Sequence, residues 1–328
     1  MKLNVTGFKE KMADMGPADN GTYNHIGSQG GTERMYAALY SRLDEETLAP
    51  FNIICSRVRP GSVKPDKTNI LWLHDTWDDP ESEHLADPES RKRFGKLVFV
   101  SNHQQATFNM GRDVPFQDGV VLQNAIEPFP EVKKPTDGPI RLIYHTTPHR
   151  GLELLVPVFE KVCEIYPDVH LDVFSSFKIY GWEQRDADFA KIFARIKSHP
   201  NMTYHGFQPN DVVRTALLNS HIYAYPNIWP ETSCISVIEA MSAGCEVVCP
   251  NFGALPETCA NFASMYGWEE NPNRHANVFA SVLLNVIRNY RQGSDKRQFQ
   301  KTYFDAFYNW DLRARQWDFF LRSLRKGA

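Results

Sequence analysis

The chain has 328 residues, of which 42% are hydrophobic, 12% aromatic and 23% charged, and its formal net charge is −3. This is a globular composition, long enough for about two domains, and it excludes a largely disordered chain. The acidic balance argues against nucleic acid as a main partner. There is no run of about 18 apolar residues and no apolar secretory stretch at the start, so we expect a cytoplasmic protein without a membrane span.

Short apolar runs alternate with amphipathic runs along the chain, and the first amphipathic run predicts a helix over 35–43. Apolar runs then predict strands at 52–55, 70–73, 97–100, 120–122, 141–144, 171–174, 203–205, 222–225 and 246–249. Further helices are predicted at 152–166, 186–197, 209–218, 233–243, 274–290 and 312–324. Such apolar runs are typical of parallel strands buried on both faces, and their alternation with helices predicts an α/β fold of βαβ units.

Four prolines lie between residues 128 and 139, just ahead of a predicted strand. Because proline fixes φ, this stretch is typical of a stiff linker. We therefore expect a first domain at 1–128, a linker at 129–139, a second domain at 140–305 and a C-terminal helical segment at 306–328.

The six cysteines form no Cys-x-x-Cys pair, and most lie inside apolar stretches. They are Cys55, Cys163, Cys234, Cys245, Cys249 and Cys259. This pattern is typical of reduced core residues in a cytosolic protein and disfavours a structural zinc site.

Ligands of open parallel sheets bind beyond the carboxyl ends of the strands, so the strand-to-helix loops are the places to search for a site. Gly30 and Gly31 open the first helix, where backbone N–H groups suit an anion, although two glycines before a helix are more often a simple turn and cap. His74 ends a strand and either meets a substrate or is a hydrogen-bonded core histidine. Arg150 opens a helix and either pairs with phosphate or is solvated.

The sharpest motif lies between residues 230 and 244. Glu231 precedes a predicted helix with Ser233 as its N-cap, Glu239 lies about two turns into it, and Gly244 follows its end. The free N–H groups of the first turn lie between the two carboxylates, an arrangement that suits a diphosphate with a sugar ring at either end. Taken alone, the glutamates are more simply a capping residue and a solvated helix residue.

The segment Glu231-x7-Glu239-Ala-Met-Ser-Ala-Gly-Cys-Glu-Val-Val248 resembles the E-x7-E signature of the retaining GT-B glycosyltransferases of family 4. Shorter matches lie at 30–33, 124–127, 150–152 and 204–207, so the resemblance covers most of residues 26–259. It implies two Rossmann-like parallel-sheet domains that face a cleft, the first one shortened and on the acceptor side. It also implies a last helix that crosses back to the first domain.

The resemblance further implies a role for each matching position. Glu239 would bind the ribose hydroxyls and Glu231 those of the donor sugar, while His74, Glu231 and Arg150 would be the catalytic residues. The implied donor-binding positions are Gly30, Gly31, Arg150, Gly206, Phe207, Glu231, Ser233, Cys234, Ile235, Ser236 and Glu239. One departure is Tyr144, which stands where the family has an arginine for phosphate, so that one charge is missing or is replaced by His145 or His149.

The implied function is transfer of a sugar from a UDP- or GDP-sugar to a glycan, lipid or protein acceptor, by a monomer or a homodimer. Fixed N–H groups and Arg150 suit a diphosphate leaving group without a metal or a cofactor. We interpret Asp186-Ala-Asp188 as a helix cap rather than a metal site. The resemblance implies retention by front-face attack, with the donor phosphate accepting the acceptor's proton. The alternatives are a nucleotide-sugar epimerase on the same fold and a degenerate domain that binds a sugar or a partner chain.

The last predicted helix carries an apolar face beside several arginines. The residues of that face are Trp310, Trp317, Phe320, Leu321 and Leu324. We expect this face to pack on the first domain, and peripheral contact with an anionic membrane is the alternative.

Overall fold

The structure is a computed structural model that describes residues 30–131 and 133–325. The first 29 residues of the predicted first domain, Val132 of the linker and the last three residues of the C-terminal segment lie outside the described ranges. The strands within these ranges are β1 Phe51–Cys55, β2 Thr68–Trp72, β3 Lys96–Phe99, β4 Gly119–Val121, β5 Ile140–Tyr144, β6 Val169–Val173, β7 Met202–Tyr204, β8 Ile222–Ala224, β9 Glu246–Pro250 and β10 Ser264–Tyr266.

The described helices are α1 Gly31–Tyr40, α2 Glu45–Leu48, α3 Pro88–Arg91, α4 Asn102–Arg112, α5 Leu152–Ile165, α6 Ala190–Ser198, α7 Asn210–Asn219, α8 Ile235–Ser242, α9 Leu255–Cys259, α10 Pro272–Asn289, α11 Ser294–Phe307 and α12 Trp310–Arg325. Short 3-10 turns lie between several of them.

The described strands form two parallel sheets. One has the order β1-β2-β3-β4 and the other the order β10-β9-β8-β5-β6-β7. We call the first sheet with its helices and α12 the first lobe, and the second sheet with its helices the second lobe. The predicted α/β fold with two parallel sheets is thereby confirmed.

All nine predicted strands are present, with ends that differ by at most two residues from the prediction. The sequence analysis missed β10, a three-residue edge strand whose residues are only partly buried apart from Tyr266. The short helices α2, α3 and α9 were not predicted either, nor were two longer helices, α4 and α11. The inner faces of these helices carry polar side chains, such as Gln104 in α4 and Gln300 and Lys301 in α11, so they show little apolar periodicity.

The core of the second lobe is built on its sheet, in which β8 and β9 are buried along their whole length, whereas burial alternates along β6. α5 is apolar around most of its circumference and is packed between the sheet, α6 and α10. α11 packs on α8, and Gln300 of α11 donates to the carbonyl of Cys245. These contacts hold the end of α8 in the core of the second lobe.

α12 follows the second lobe in the sequence but packs on the first. The Trp317 ring lies 4.9 Å from the Trp72 ring of β2, and the apolar face of α12 packs with Met35 and Leu39 of α1. The expected return of the last helix to the first lobe is thereby confirmed. Because this face is buried inside the protein, and Arg313 with it, the face is not available to a membrane surface. No helix of the described ranges is long and apolar enough to span a bilayer.

Trp317→Ala is expected to lower the free energy of unfolding by about 3–5 kcal/mol, because it opens a large cavity between α12 and the first sheet. Phe319→Ala is the matched control on the same helix, since Phe319 is 76% exposed. It is expected to change stability by less than about 0.5 kcal/mol. Urea unfolding followed by tryptophan fluorescence and circular dichroism measures both variants, and equal losses would contradict the packing described for α12.

Candidate functional site

A cavity of about 640 Å³ lies between the two lobes. It is lined by the loops that follow β2, β5, β6, β7 and β8, together with the starts of α1 and α8. The carboxyl ends of the parallel strands therefore open into the cavity, which is where an open α/β sheet binds its ligand.

The cavity brings together eleven of the twelve predicted site residues. These are Gly31, His74, Arg150, Gly206, Phe207, Glu231, Ser233, Cys234, Ile235, Ser236 and Glu239. Gly30 is not among the lining residues, but it lies against Tyr180, which does line the cavity. A Cβ at Gly30 would lie 2.8 Å from the Tyr180 ring.

Glu231 is buried at the end of the loop that follows β8. Its carboxylate accepts a hydrogen bond from the Tyr225 hydroxyl at 2.5 Å and forms an ion pair with Arg150. Its backbone is held by the loop before α9, where the Ala254 N–H donates to the Glu231 carbonyl at 2.7 Å. This close approach requires Gly253, which has φ +60° and whose Cβ would lie 2.6 Å from the Glu231 nitrogen.

Glu239 is 3% exposed in the second turn of α8. The Arg34 guanidinium, from α1 in the other lobe, donates to Oε1 of Glu239 at 2.8 Å. The Asn210 side chain donates to the same oxygen at 3.3 Å, and Arg214 lies 3.8 Å away. Burial raises the pKa of Glu239, but Arg34 and His145 outweigh this effect and hold the pKa below its usual value.

The start of α8 lies between these two carboxylates. The N-cap residue is Cys234, and the helix has no side-chain cap, so the prediction that Ser233 caps it is wrong by one residue. The first-turn N–H groups of an uncapped helix carry partial positive charge and suit an anion. Cys234, Ile235 and Ser236 all line the cavity at this point.

The loop before α8 is held from the first lobe. The Thr232 hydroxyl donates to the carbonyl of His74 at 2.8 Å, and the Ser101 hydroxyl donates to the carbonyl of Thr232 at 2.6 Å. Glu257 of the second lobe accepts the N–H group of Asn102 at 3.0 Å, at the start of α4. These contacts connect the two lobes next to the cavity.

Several buried polar atoms at the cavity wall have no hydrogen-bond partner among the described residues. They include His74 Nε2, Asn124 Oδ1, His145 Nε2, Thr147 Oγ1, His149 Nδ1 and Ser175 Oγ. Buried polar atoms are normally hydrogen-bonded, so a wall with several unpaired ones suits a polar ligand.

The histidines of the cavity are uncharged at neutral pH. Burial lowers the pKa of His74 to about 3 and that of His145 to about 4, and it also lowers the pKa of His149. The hydroxyl of Tyr144 donates to the carbonyl of Thr147 at 2.9 Å in the core. Burial therefore opposes a positive charge on His145 and His149, the two residues suggested to replace the charge missing at Tyr144.

Asp186 does not cap its own helix as predicted. Its carboxylate accepts hydrogen bonds from the Ser176 hydroxyl and from the Phe177 N–H group, the latter at 2.8 Å. It thereby holds the start of the preceding 3-10 helix, which spans Phe177–Tyr180. Within residues 30–131 and 133–325, no three His, Cys, Asp or Glu side chains are grouped as metal ligands.

Arg150 is a predicted site residue, but the other partners of the two glutamates were not predicted from the sequence. Tyr225 directly follows β8, and that position at the carboxyl end of a strand was a usable signal. Arg34 directly follows the Gly-Gly-x-Glu match at 30–33, so it was close to a motif already identified. Arg214 and Asn210 lie on α7, and no sequence pattern connects them with Glu239.

Gly253→Ala is expected to destabilise the protein by about 2 kcal/mol or more, since a Cβ there meets the Glu231 backbone and φ is positive. Gly267→Ala is the control, because a Cβ at Gly267 has no atom within 4 Å and its φ is not positive. Thermal unfolding of the two variants makes the comparison, and equal midpoints would contradict the close approach of the two loops.

His145→Gln is expected to flatten the acid limb of the stability profile. In the unfolded chain the pKa of His145 is about 6.5, whereas in the folded protein burial lowers this pKa to about 4. The contribution of neutral His145 to the free energy of unfolding is therefore complete above pH 6.5. As the pH falls below 6.5, this free energy decreases by about 1.4 kcal/mol for each pH unit. Urea unfolding at pH 7.5, 6 and 5 tests this, and the same slope in wild type and variant would contradict it.

Comparison with known proteins identifies the family of this chain. The family model described as "Glycosyl transferases group 1" matches residues 126–300, which is more than half of the chain. The gpi3 subunit of phosphatidylinositol N-acetylglucosaminyltransferase from Schizosaccharomyces pombe is 23% identical over 52% of this chain and 34% of its own length. The GPI3 subunit of the Saccharomyces cerevisiae enzyme is 23% identical over 50% of this chain and 34% of its own length.

The chain thus matches about a third of the length of these curated relatives. Among solved structures, HepE from Anabaena in complex with UDP and glucose superposes with a TM-score of 0.66 at 13% identity, over 93% of this chain and 84% of HepE. That likeness shows a shared GT-B fold. The chain belongs to the group 1 glycosyltransferase family.

Proposed function

We propose that this protein transfers a sugar from a nucleotide-diphosphate donor to a hydroxyl acceptor, with retention of configuration and without a metal. The observation that carries the proposal is the pair of buried glutamates on either side of the uncapped start of α8. Glu231 and Glu239 face one cavity, and each has an arginine partner. Membership of the group 1 family supports this reaction class.

The proposed donor is a UDP-sugar. HepE, which has the same fold, was solved with UDP and glucose, and the curated relatives are named as N-acetylglucosaminyltransferases. We therefore propose UDP-N-acetylglucosamine and UDP-glucose as the first donors to test, with GDP-sugars as the alternative. The proposed acceptor is a glycan, a lipid-linked sugar or a protein.

The proposed chemistry follows from where charge develops. Cleavage of the bond between sugar and phosphate leaves negative charge on the diphosphate, which the first-turn N–H groups of α8 and Arg150 stabilise. Glu239 accepts hydrogen bonds from the ribose hydroxyls and Glu231 from those of the sugar. His74, uncharged and with an unpaired Nε2, orients the reacting groups from the first lobe. The donor phosphate accepts the proton of the incoming hydroxyl.

Glu239→Ala is expected to weaken UDP binding about 100-fold, because it removes the acceptor of two charge-assisted hydrogen bonds. Calorimetric titration with UDP measures the loss. Glu164→Ala is the control, since Glu164 is an exposed residue of α5 and does not line the cavity. Unchanged UDP affinity in the Glu239 variant would contradict the proposed donor site.

Incubation with donor alone separates the transferase from an epimerase on the same fold. The transferase leaves the sugar configuration of the donor unchanged until an acceptor is added, as nuclear magnetic resonance of the anomeric and ring protons shows. Conversion of the donor without acceptor would favour the epimerase. Saturable donor binding without turnover over a broad acceptor panel would favour a binding protein.

A further inference from the structure

We propose that Arg34 of the first lobe binds the donor diphosphate and supplies the phosphate charge that Tyr144 does not. This inference rests on the proposed function, because it concerns the same donor. The family resemblance assigned the diphosphate to Arg150 and to backbone groups, and Arg34 was not among those positions. The contact between Arg34 and Glu239, from opposite lobes, is the observation that points to it.

Arg34 lies in the first turn of α1, and this turn faces the start of α8. A Cβ at Gly31 would lie 3.0 Å from the Cδ1 atom of Ile235, so the two helix starts approach each other across the cavity. The Arg34 guanidinium reaches Oε1 of Glu239 at 2.8 Å, and its charge also acts on His145, which contacts the backbone of Ser236. Arg34 is thus placed beside the first turn of α8, where the proposed diphosphate binds.

The arginines that line the cavity wall differ in the groups that they contact. Four described arginines line the cavity, namely Arg34, Arg57, Arg150 and Arg185. Arg57 is held by Asp79 at 3.0 Å and by Asp75 at 3.5 Å, and Arg185 stacks over the Phe177 and Trp182 rings. Arg34 pairs with Glu239 and Arg150 pairs with Glu231, so these two arginines contact the carboxylates on either side of the α8 start. These contacts place Arg34 and Arg150 on opposite sides of the proposed diphosphate site.

The contact with Glu239 is compatible with phosphate binding. It uses the Nη2 group, whereas a guanidinium has five N–H donors arranged as a planar fork. The Arg34 side chain is 32% exposed, in contrast to the 3% of Glu239, so part of its fork is open to the cavity. Arg34 therefore pairs with the carboxylate that binds the ribose hydroxyls. Its remaining N–H groups donate to the phosphates joined to that ribose.

The test is calorimetric titration of the full chain with UDP and with uridine, which lacks both phosphates. Arg34→Gln retains a donor for Glu239 but removes the charge. We expect it to weaken UDP binding about tenfold or more while uridine affinity stays within about twofold. Arg34→Lys restores a charge and is expected to recover part of the UDP affinity. Arg42→Ala is the control, because Arg42 follows the same helix and pairs with Glu127 outside the cavity.

Two results would overturn the inference alone. The first is an affinity for UDP that is unchanged in Arg34→Gln. The second is an equal loss of affinity for UDP and for uridine in this variant, which would mean that Arg34 acts only through Glu239. Wild-type protein that binds neither UDP nor GDP would overturn the proposed function, and this inference with it. Thermal unfolding midpoints that agree between Arg34→Gln, Arg34→Lys and wild type establish that the losses are not losses of fold.

Discussion

Two buried carboxylates set the main physical constraint on this protein. An isolated charge removed from water is costly unless it is paired and hydrogen-bonded, and Glu231 and Glu239 are both buried in the wall of one cavity. Arg150 pairs with Glu231 inside the second lobe, whereas Arg34 pairs with Glu239 from the first. The closest ion-pair partner of Glu239 is therefore supplied by the other lobe, and the cleft and its chemistry depend on the same contact.

The segment before α8 is held by contacts with both lobes. Thr232 is hydrogen-bonded to the first lobe through both its hydroxyl and its carbonyl, while the Glu231 backbone is held by the loop at Gly253. The carboxylate and the helix start are thus positioned from opposite sides. A rigid placement of this kind suits a site that stabilises developing charge, because the donors need not reorganise during the reaction.

The sequence predicted the fold well where periodicity was strong. Apolar runs of three to five residues placed nine strands, because strands buried on both faces leave a continuous apolar signal. It failed where the inner face of an element is polar. α4 buries Gln104 and α11 buries Gln300 and Lys301, and hydrogen bonds that only the tertiary structure reveals satisfy these side chains.

Nine of the strands and the spacing of Glu231 and Glu239 were determined by the sequence alone, because both are local properties of the chain. The environment of those glutamates was decided by the tertiary structure. Arg34 and Glu239 are 205 positions apart, and only the packing of two lobes brings them within 2.8 Å. The neutral state of His145 has the same origin, since a pKa depends on burial and on neighbouring charges, which no spacing along the chain encodes.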